Sequence, residues 1–262
     1  MLRLSLLNVR DSKRKVFLGL SPIPVVIVPL LLCLAICSVS IAPIASASAS
    51  RTYTTNFTLT ENPISEGGKW INGTAVGLDW SNVQTTPGFA FDVSGAGYND
   101  GTALLAGDWG PDQTAQATVR CKNPSSSIYQ EVELRLRSSL SAHVATGYEI
   151  NARCLRGNAA SYLYIVRWNG ALGDFTTLTG GTGAQYGVTD GDVLKATMIG
   201  NVITVYVNDA QILTATDSVY ATGSPGIGFD LTNSVAYSDS GFTNFMATDG
   251  PVAPTGLSAT PH

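Results

Sequence analysis

The stretch Glu131-Val132-Glu133-Leu134-Arg135-Leu136-Arg137 alternates charged and aliphatic residues without interruption. Successive side chains of a β-strand point to opposite faces of its sheet. We therefore expect Val132, Leu134 and Leu136 to face a core and the four charged side chains to share the opposite face. The period of two excludes an amphipathic helix here and makes a half-buried strand the unit of the fold.

The chain after Ser50 continues in short runs of the same kind, separated by Gly, Asn, Asp and Ser. The predicted strands are Phe89–Val93, Thr102–Ala106, Ala115–Cys121, Ile128–Arg137, Gly147–Leu155, Tyr162–Trp168, Phe175–Thr179, Val193–Ile199, Val202–Asn208, Gln211–Thr216, Pro225–Leu231 and Ser238–Phe245. Gly200-Asn201 and Asn208-Asp209 are tight hairpin signals. Twelve strands without a helical stretch predict an all-β fold, a two-sheet antiparallel β-sandwich.

Composition narrows the class of protein further. The 262 residues include 27 Gly and only 13% charged residues, which argues against disorder, a coiled coil or a helical bundle. Five of the 15 Lys and Arg residues, but only one of the 19 acids, fall in the first fifty positions, so residues 51–262 carry a net charge of about −8. Nucleic acid is not an expected partner, because no cluster of Lys and Arg follows Lys15.

The two ends of the chain differ from the middle. Residues 1–49 combine a basic start, the apolar run Val25–Ile36 and an Ala-Ser repeat, which predicts an export signal. The alternative is an uncleaved membrane anchor. We expect one domain over residues 51–248, secreted or at the cell surface, extracellular or periplasmic, and without membrane contact once the signal is cut. The Pro-rich tail 249–262 resembles the opening of a fibronectin type III module, so such a module is a possible neighbour.

Export would place Cys121 and Cys154 in an oxidising compartment, where the two thiols are free to pair. Both cysteines lie at ends of predicted strands, so a cross-strand disulfide and a pair of buried thiols both stay open. Two cysteines and one histidine inside the domain are too few ligands for a usual zinc site.

Four parts of the chain together resemble the concanavalin A-like lectin and glucanase superfamily, in its laminin-G-like bacterial branch. These parts are Asn56-Phe57 with Trp70, Glu133–Arg137 with Tyr148–Arg153, Gly191–Thr197 with Val202–Asp209, and Gly223–Gly228 with Phe242–Phe245. The resemblance covers roughly residues 53 to 248. It implies a jelly roll whose first strand pairs near the last, and a non-catalytic lectin-like module that binds a polysaccharide or glycan.

In the resembling fold, the polar face of the central strands lines a concave polysaccharide groove. The carbohydrate-binding residues that this implies are Glu133, Arg135, Arg137, Asn151, Arg153, Tyr164 and Trp168. Their guanidinium groups would hold sugar hydroxyls or uronic carboxylates, and their aromatic rings would stack on sugar rings. We expect Lys195 to extend the same surface from a third strand. The alternatives are a solvated face of ordinary Glu–Arg pairs, and aromatics that belong to the core.

Two enzymatic alternatives use the same face. Laminarinase-type hydrolases of the superfamily carry Glu-x-Asp-x-Glu on one strand, whereas this chain has Glu131-x-Glu133-x-Arg135. A guanidinium cannot exchange a proton at working pH, so Glu131 and Glu133 are the pair to test for hydrolysis. For a polysaccharide lyase the candidate is His143, although its sequence context is typical of an exposed loop. A structural cell-surface module without a sugar ligand is the third alternative.

The resemblance also implies one structural calcium ion between the first and the last strand, held by oxygen ligands. The acids near the matching positions are Glu61, Glu66 and Asp239. Asn56 stands where the family usually has an acid before the first Phe. Calcium is the one cofactor that the sequence leads us to expect.

Overall fold

The computed structural model describes residues 50–92, 100–231 and 239–250. The predicted signal and residues 251–262 of the predicted tail lie outside the described residues. Within these ranges the chain forms strands and one 3-10 turn, Thr74–Val76, and no α-helix. The described part of the chain also holds no helix long and apolar enough to cross a bilayer. The all-β prediction is confirmed.

The strands are numbered in chain order and are three to twelve residues long. They are β1 Thr52–Thr55, β2 Trp70–Asn72, β3 Gln84–Thr86, β4 Phe89–Phe91, β5 Gly101–Leu105, β6 Gln113–Cys121, β7 Gln130–Ser141, β8 Val144–Arg153, β9 Tyr162–Gly170, β10 Phe175–Thr182, β11 Val193–Ile199, β12 Val202–Val207, β13 Ala210–Thr216, β14 Ser224–Leu231 and β15 Ser240–Asp249. All twelve predicted strands are present. The three that were missed, β1 to β3, are too short to show an alternating pattern.

The strands form two antiparallel sheets. Sheet A has the order β13-β12-β11-β6-β15-β4-β3, with β1 paired to β15, and sheet B has the order β10-β9-β8-β7-β14-β5-β2. Thr52 of β1 lies opposite Thr248 of β15, so the first described strand pairs with the last, as expected. The predicted Asn208-Asp209 turn joins β12 to β13 with φ angles of 50° and 62°, the positive values that a tight hairpin needs.

The core lies between the sheets. The aliphatic face of β7, Val132, Leu134 and Leu136, is fully buried in one cluster with side chains from both sheets, including Ile150 of β8 and Ile203 of β12. The alternation predicted from the sequence is therefore confirmed for β7. Burial of this apolar face is the main favourable contribution to folding and turns the opposite face of sheet B outward.

A disulfide joins the two sheets at the ends of two interior strands. Cys121 ends β6 of sheet A, and Cys154 directly follows β8 of sheet B. Their sulfur atoms are bonded, and their Cα atoms lie 5.5 Å apart. The distance is within the usual range for a disulfide. Of the two alternatives left open by the sequence, the structure contains the bridge.

Candidate functional site

A pocket of about 550 Å³ opens on the outer face of sheet B, opposite the core. Its walls come from five neighbouring strands, from Tyr129 before β7 and from Asp100 before β5. The lining residues are Asp100, Tyr129, Glu131, Glu149, Asn151, Tyr162, Tyr164, Val166, Trp168, Phe175, Thr177, Asp230 and Leu231. A volume of this size is typical of small-ligand sites. The outer face of sheet B, which holds this pocket, is called the pocket face below.

One wall of the pocket is aromatic. Tyr162, Tyr164 and Trp168 alternate along β9 with Leu163 and Ile165, which are fully buried in the core. The predicted sidedness of β9 is confirmed. The alternative that the aromatics are core is correct for Trp168 alone, which is 3% exposed in a second hydrophobic cluster on the outer face. The ring centroids of Tyr162 and Tyr164 lie 5.6 Å apart.

The aromatic wall continues onto β10 and onto the loop before β3. Phe175 lies opposite Trp168 across the β9–β10 pair, with ring centroids 5.2 Å apart, and Trp80 packs on Trp168 at 4.3 Å. The ring of Tyr164 covers Gly180. A Cβ at that position, where φ is +145°, would lie 2.3 Å from Tyr164 Cδ1. Glycine therefore allows the ring to lie flat against β10.

A buried charge cluster adjoins the pocket. Arg135 lies among three carboxylates, with Nη2 bonded to Glu133, Nη1 2.5 Å from Glu149 Oε2, and Nη2 3.6 Å from Asp100 Oδ2. Its guanidinium also lies 5.2 Å above the ring of Trp80. The four charged side chains are at most 8% exposed. In a cluster this far from water, any charged group must be balanced by such mutual bonds.

The sequence of β14 makes room for the cluster. Gly228 pairs with Glu133, and a Cβ at this position would lie 2.2 Å from Glu133 Oε2 and 3.1 Å from Arg135 Nη2. Any side chain here would displace the carboxylate from the guanidinium. The Ser-Pro-Gly-Ile-Gly motif at the start of β14 therefore leaves space for the charge cluster on the pocket face.

The surplus of carboxyl groups shifts their pKa values. Burial, followed by the charge of Glu149, raises the pKa of Glu131 to about 8, and the Tyr162 hydroxyl bonds to this carboxyl. Burial, followed by the charges of Asp92 and Glu149, raises the pKa of Asp230 to about 6. Burial and Glu149 also raise the pKa values of Asp100 and Glu133, against the opposing effect of Arg135. The pocket face thus holds carboxyl groups that keep protons near neutral pH.

Some of the residues predicted to bind carbohydrate line the pocket, and the others do not. Asn151, Tyr164 and Trp168 line the pocket. Glu133 and Arg135 lie beside it but are bonded to each other and are 0% and 2% exposed. The alternative of a solvated face of surface ion pairs is wrong for these residues.

Arg137 lies outside the pocket, contrary to expectation. A bulge after Leu136 breaks the alternation of β7, and Arg137 adopts a φ of 44°. Its guanidinium donates to the backbone carbonyl oxygens of Pro111, Gly200 and Tyr220. All of these bonds are internal, so Arg137 supports loops rather than a ligand.

Arg153 is also engaged internally. Its guanidinium donates to the carbonyl oxygens of Ser126, Ile128 and Ala160, and lies 4.4 Å from the ring of Tyr129 and 5.7 Å from the ring of Tyr162. Arg153 does not line the pocket. It packs against Tyr129 and Tyr162, which do. The expectation that arginines face the ligand overlooked the backbone acceptors around them.

Lys195 is not part of this surface. It lies on β11 of sheet A, where its ammonium group pairs with Asp209 and sits 4.8 Å from the ring of Tyr206. The expectation was wrong because the sequence did not show which strands share a sheet.

The three candidate catalytic residues, Glu131, Glu133 and His143, do not lie together in one site. Glu131 lines the pocket, whereas Glu133 is buried against Arg135. His143, in the turn between β7 and β8, is 74% exposed and lies 2.8 Å from Asp79. It is an exposed loop residue, as its sequence context indicated.

The predicted calcium ligands do not fit a calcium site. Glu61 accepts the backbone N–H groups of Ser65 and Glu66, at 3.0 and 2.9 Å. Glu66 accepts Trp70 Nε1 at 2.9 Å and two hydroxyls, and Asp239 accepts Asn123 Nδ2 at 2.9 Å. Each carboxylate is already bonded to donors of the protein, and the three do not converge within the described residues.

A different group of acids does converge. Among the described residues, oxygen atoms of Asp100, Glu133 and Glu149 all lie within 4.8 Å of one another. The Arg135 guanidinium already lies at this point and supplies the donors that a metal ion would replace. The group is therefore satisfied as an ion-pair cluster.

Sequence reasoning missed several residues that line the pocket. Asp230 alternates with the core residues Ile227 and Phe229 on β14, a signal that was available. Asp100, Tyr129 and Phe175 carried no such signal, because their positions depend on which strands lie side by side.

No protein-family model matches the sequence, and no curated protein matches it. Solved structures do match the fold. The carbohydrate recognition domain of Emp46p in its potassium-bound form aligns with a TM-score of 0.52 and 14% identity, over 76% of this chain and 96% of that one. The exoplasmic/lumenal domain of VIP36 in its Ca²⁺/Man-bound form aligns with a TM-score of 0.51 and 12% identity, over 78% of this chain and 94% of that one.

At these identities the likeness defines the fold alone. The chain has a two-sheet antiparallel sandwich similar to that of these two domains, with a pocket on one outer face. The fold hosts several functions, so function must be argued from the pocket.

Proposed function

We propose that the protein is a secreted, non-catalytic carbohydrate-binding module that holds a glycan in the pocket of sheet B. The observation that carries the proposal is the aromatic wall of Tyr162, Tyr164, Trp168 and Phe175 around a polar floor. The C–H faces of a sugar ring stack on aromatic rings, and side-chain oxygens accept bonds from its hydroxyls. The fold of the Emp46p carbohydrate recognition domain and of the VIP36 domain supports the proposal.

The boundaries and context are part of the same proposal. Residues 1–49 would direct export, residues 51–248 would form a module of the laminin-G-like branch, and residues 249–262 would lead to a fibronectin type III-like neighbour. The disulfide between Cys121 and Cys154 supports an oxidising location, since such bonds persist outside the cytosol.

The test is retention of the purified protein on a panel of insoluble neutral, amino and uronic polysaccharides, with reducing ends and unsaturated products measured in the supernatant. We expect retention on at least one polysaccharide without product release. Tyr164→Ala is expected to weaken retention about fivefold to thirtyfold, since one stacked ring contributes roughly 1–2 kcal/mol.

The matched control is Tyr206→Ala, which removes a tyrosine from the outer face of sheet A, away from the pocket. This variant should bind as the unchanged protein does. Equal loss in both variants, or no retention on any polysaccharide, would contradict the proposal. Melting temperatures of both variants separate loss of binding from loss of folding.

A glycoside hydrolase is the second candidate, because the Glu131 carboxyl lines the pocket with its pKa raised to about 8. A protonated carboxyl at neutral pH is what a general acid requires. In that case reducing ends would appear during the retention assay, and Glu131→Gln would abolish them while binding remained.

A further inference from the structure

The described lining of the pocket contains acidic residues but no basic residue. Its carboxyl-bearing residues are Asp100, Glu131, Glu149 and Asp230, and none of its described lining residues is a lysine or arginine. Residues 93–99 and 232–238, which lie outside the described residues, contain no charged residue. A ligand in the pocket therefore meets acids from β7, β8, β14 and the residue before β5.

The cations nearest the pocket are already committed. Arg135 is shared by Glu133, Glu149 and Asp100, so one guanidinium faces three carboxylates. Arg153 gives its donors to three backbone carbonyl oxygens. Carboxyl groups on the pocket face therefore outnumber the cationic groups beside them, and a bound cation would favour their ionised form.

The pocket face holds buried polar atoms without a partner, both donors, such as Trp80 Nε1 and Arg135 Nε, and acceptors. Glu133 Oε1 is fully buried and has no hydrogen-bond donor, and the same holds for Asn151 Oδ1, on the strand position that pairs with Glu133. Asn151 lines the pocket. Buried acceptors without donors are costly, and an ammonium group supplies three donors and no acceptor.

The aromatic wall favours a cation over an anion. The faces of Tyr and Trp rings carry negative partial charge, which attracts an ammonium group and disfavours a carboxylate. Tyr162, Tyr164 and Trp168 lie beside the acids of the pocket lining. Charge and aromatic surface thus act in the same direction.

We propose that the pocket selects a sugar carrying a positive charge, an amino sugar with a free amine, over neutral and uronic sugars. The proposal rests on the proposed glycan-binding function and names its ligand class. It reverses the sequence-based expectation of uronic carboxylates held by Arg135 and Arg137, because neither guanidinium is available to a ligand. Burial, followed by neighbouring carboxylates, raises the pKa values of Glu131 and Asp230, and a bound ammonium group would lower them again by favouring the charged carboxylates.

The test compares three oligosaccharides of equal length by calorimetry at pH 6, where a sugar amine is largely protonated: glucosamine oligomers with free amines, N-acetylglucosamine oligomers and galacturonate oligomers. The free amine is the only cationic group among the three ligands. We expect the cationic oligomer to bind about tenfold tighter than the acetylated one, with the uronic oligomer weakest.

Two pocket variants locate the source of selectivity. Glu131→Gln and Asp230→Asn each remove one carboxyl with little change of shape, and each should reduce the preference for the cationic oligomer about threefold or more. Asp209→Asn, an exposed acid in a turn of sheet A, is the matched control and should leave the preference unchanged. Melting temperatures verify that all three variants fold.

The outcomes separate the two proposals. Equal or tighter binding of the acetylated or uronic oligomer would overturn the charge selectivity and leave glycan binding intact. A cationic preference that survives both pocket variants would also overturn it, since the acids would not be its source. Failure of all three oligomers and of the whole polysaccharide panel would overturn both proposals.

Discussion

The two sheets have outer faces built on the same alternating pattern, yet the faces differ in what they do with charge. On sheet A, Lys195 pairs with Asp209, whose side chain is 86% exposed. On the pocket face, Arg135 is 3% exposed among carboxylates that are no more than 8% exposed. Leu78 and Trp80 pack against Val166 and Trp168 on the pocket face and exclude water from it. Whether an alternating strand presents a solvated surface or a dry site therefore depends on what covers it.

The sharpest test of this difference removes the cation from each face. Arg135→Met leaves up to three buried carboxylates without a partner, and we expect the free energy of unfolding to fall by about 3–5 kcal/mol. Lys195→Met breaks an exposed pair and should cost about 1 kcal/mol or less. Denaturant unfolding of both variants measures the comparison.

If Arg135→Met does not fold, the triple variant Arg135→Met, Glu133→Gln, Glu149→Gln should recover much of the stability, because its buried charges are removed together. Similar small costs for Arg135→Met and Lys195→Met would mean that the pocket face is hydrated and the comparison invalid.

A smaller effect is expected from the glycine that makes room for the cluster. Gly228→Ala places a methyl group against Glu133 Oε2 and should cost about 1–3 kcal/mol through displacement of the carboxylate. In a Glu133→Ala background the same substitution should cost measurably less, since the clash is gone. Denaturant midpoints of the four-member cycle provide the answer, and additive costs would show that Gly228 serves the backbone instead.

The smallest expected effect is a pH dependence. The pKa of Glu131 rises from its ordinary 4.5 to about 8, so the folded protein holds a proton that the unfolded chain releases between these values. The free energy of unfolding should therefore decrease as pH rises from 5.5 to 8, by about 1–3 kcal/mol, or roughly 3–8 °C in melting temperature.

Glu131→Gln should flatten this dependence, whereas Asp209→Asn on sheet A should keep it. Melting temperatures at five pH values test both variants. A profile that rises toward pH 8 in the unchanged protein would show that the pocket carboxyls ionise freely.

Much of the fold could be read from local pattern. The alternation in β7 and β9 correctly separated Leu134 and Leu163 from Glu133 and Tyr164, because the period of two is a property of the extended chain itself. The hairpin at Asn208-Asp209 followed from residues that tolerate positive φ. The three strands that were missed, β1 to β3, have three or four residues each and give little room for an alternating pattern.

The site was less predictable, and Arg137 and Lys195 show why. One bulge after Leu136 redirected Arg137 onto backbone carbonyls, and the order of strands put Lys195 on the other sheet. The alternation of residues within one strand predicts neither a bulge nor the order of strands in a sheet. Asp100 and Phe175 line the pocket because the strand order places them beside residues that are distant in the sequence.

The sequence by itself determined the all-β class, most strands, and which side of β7 and β9 faces the core. The tertiary structure decided that the charged side is dry, that Arg135 belongs to Glu133 and Glu149 rather than to a ligand, and that the pocket is acidic. The physical reason is that alternation is set within one strand, whereas burial and the pairing of charges are set by the strands and loops packed beside it.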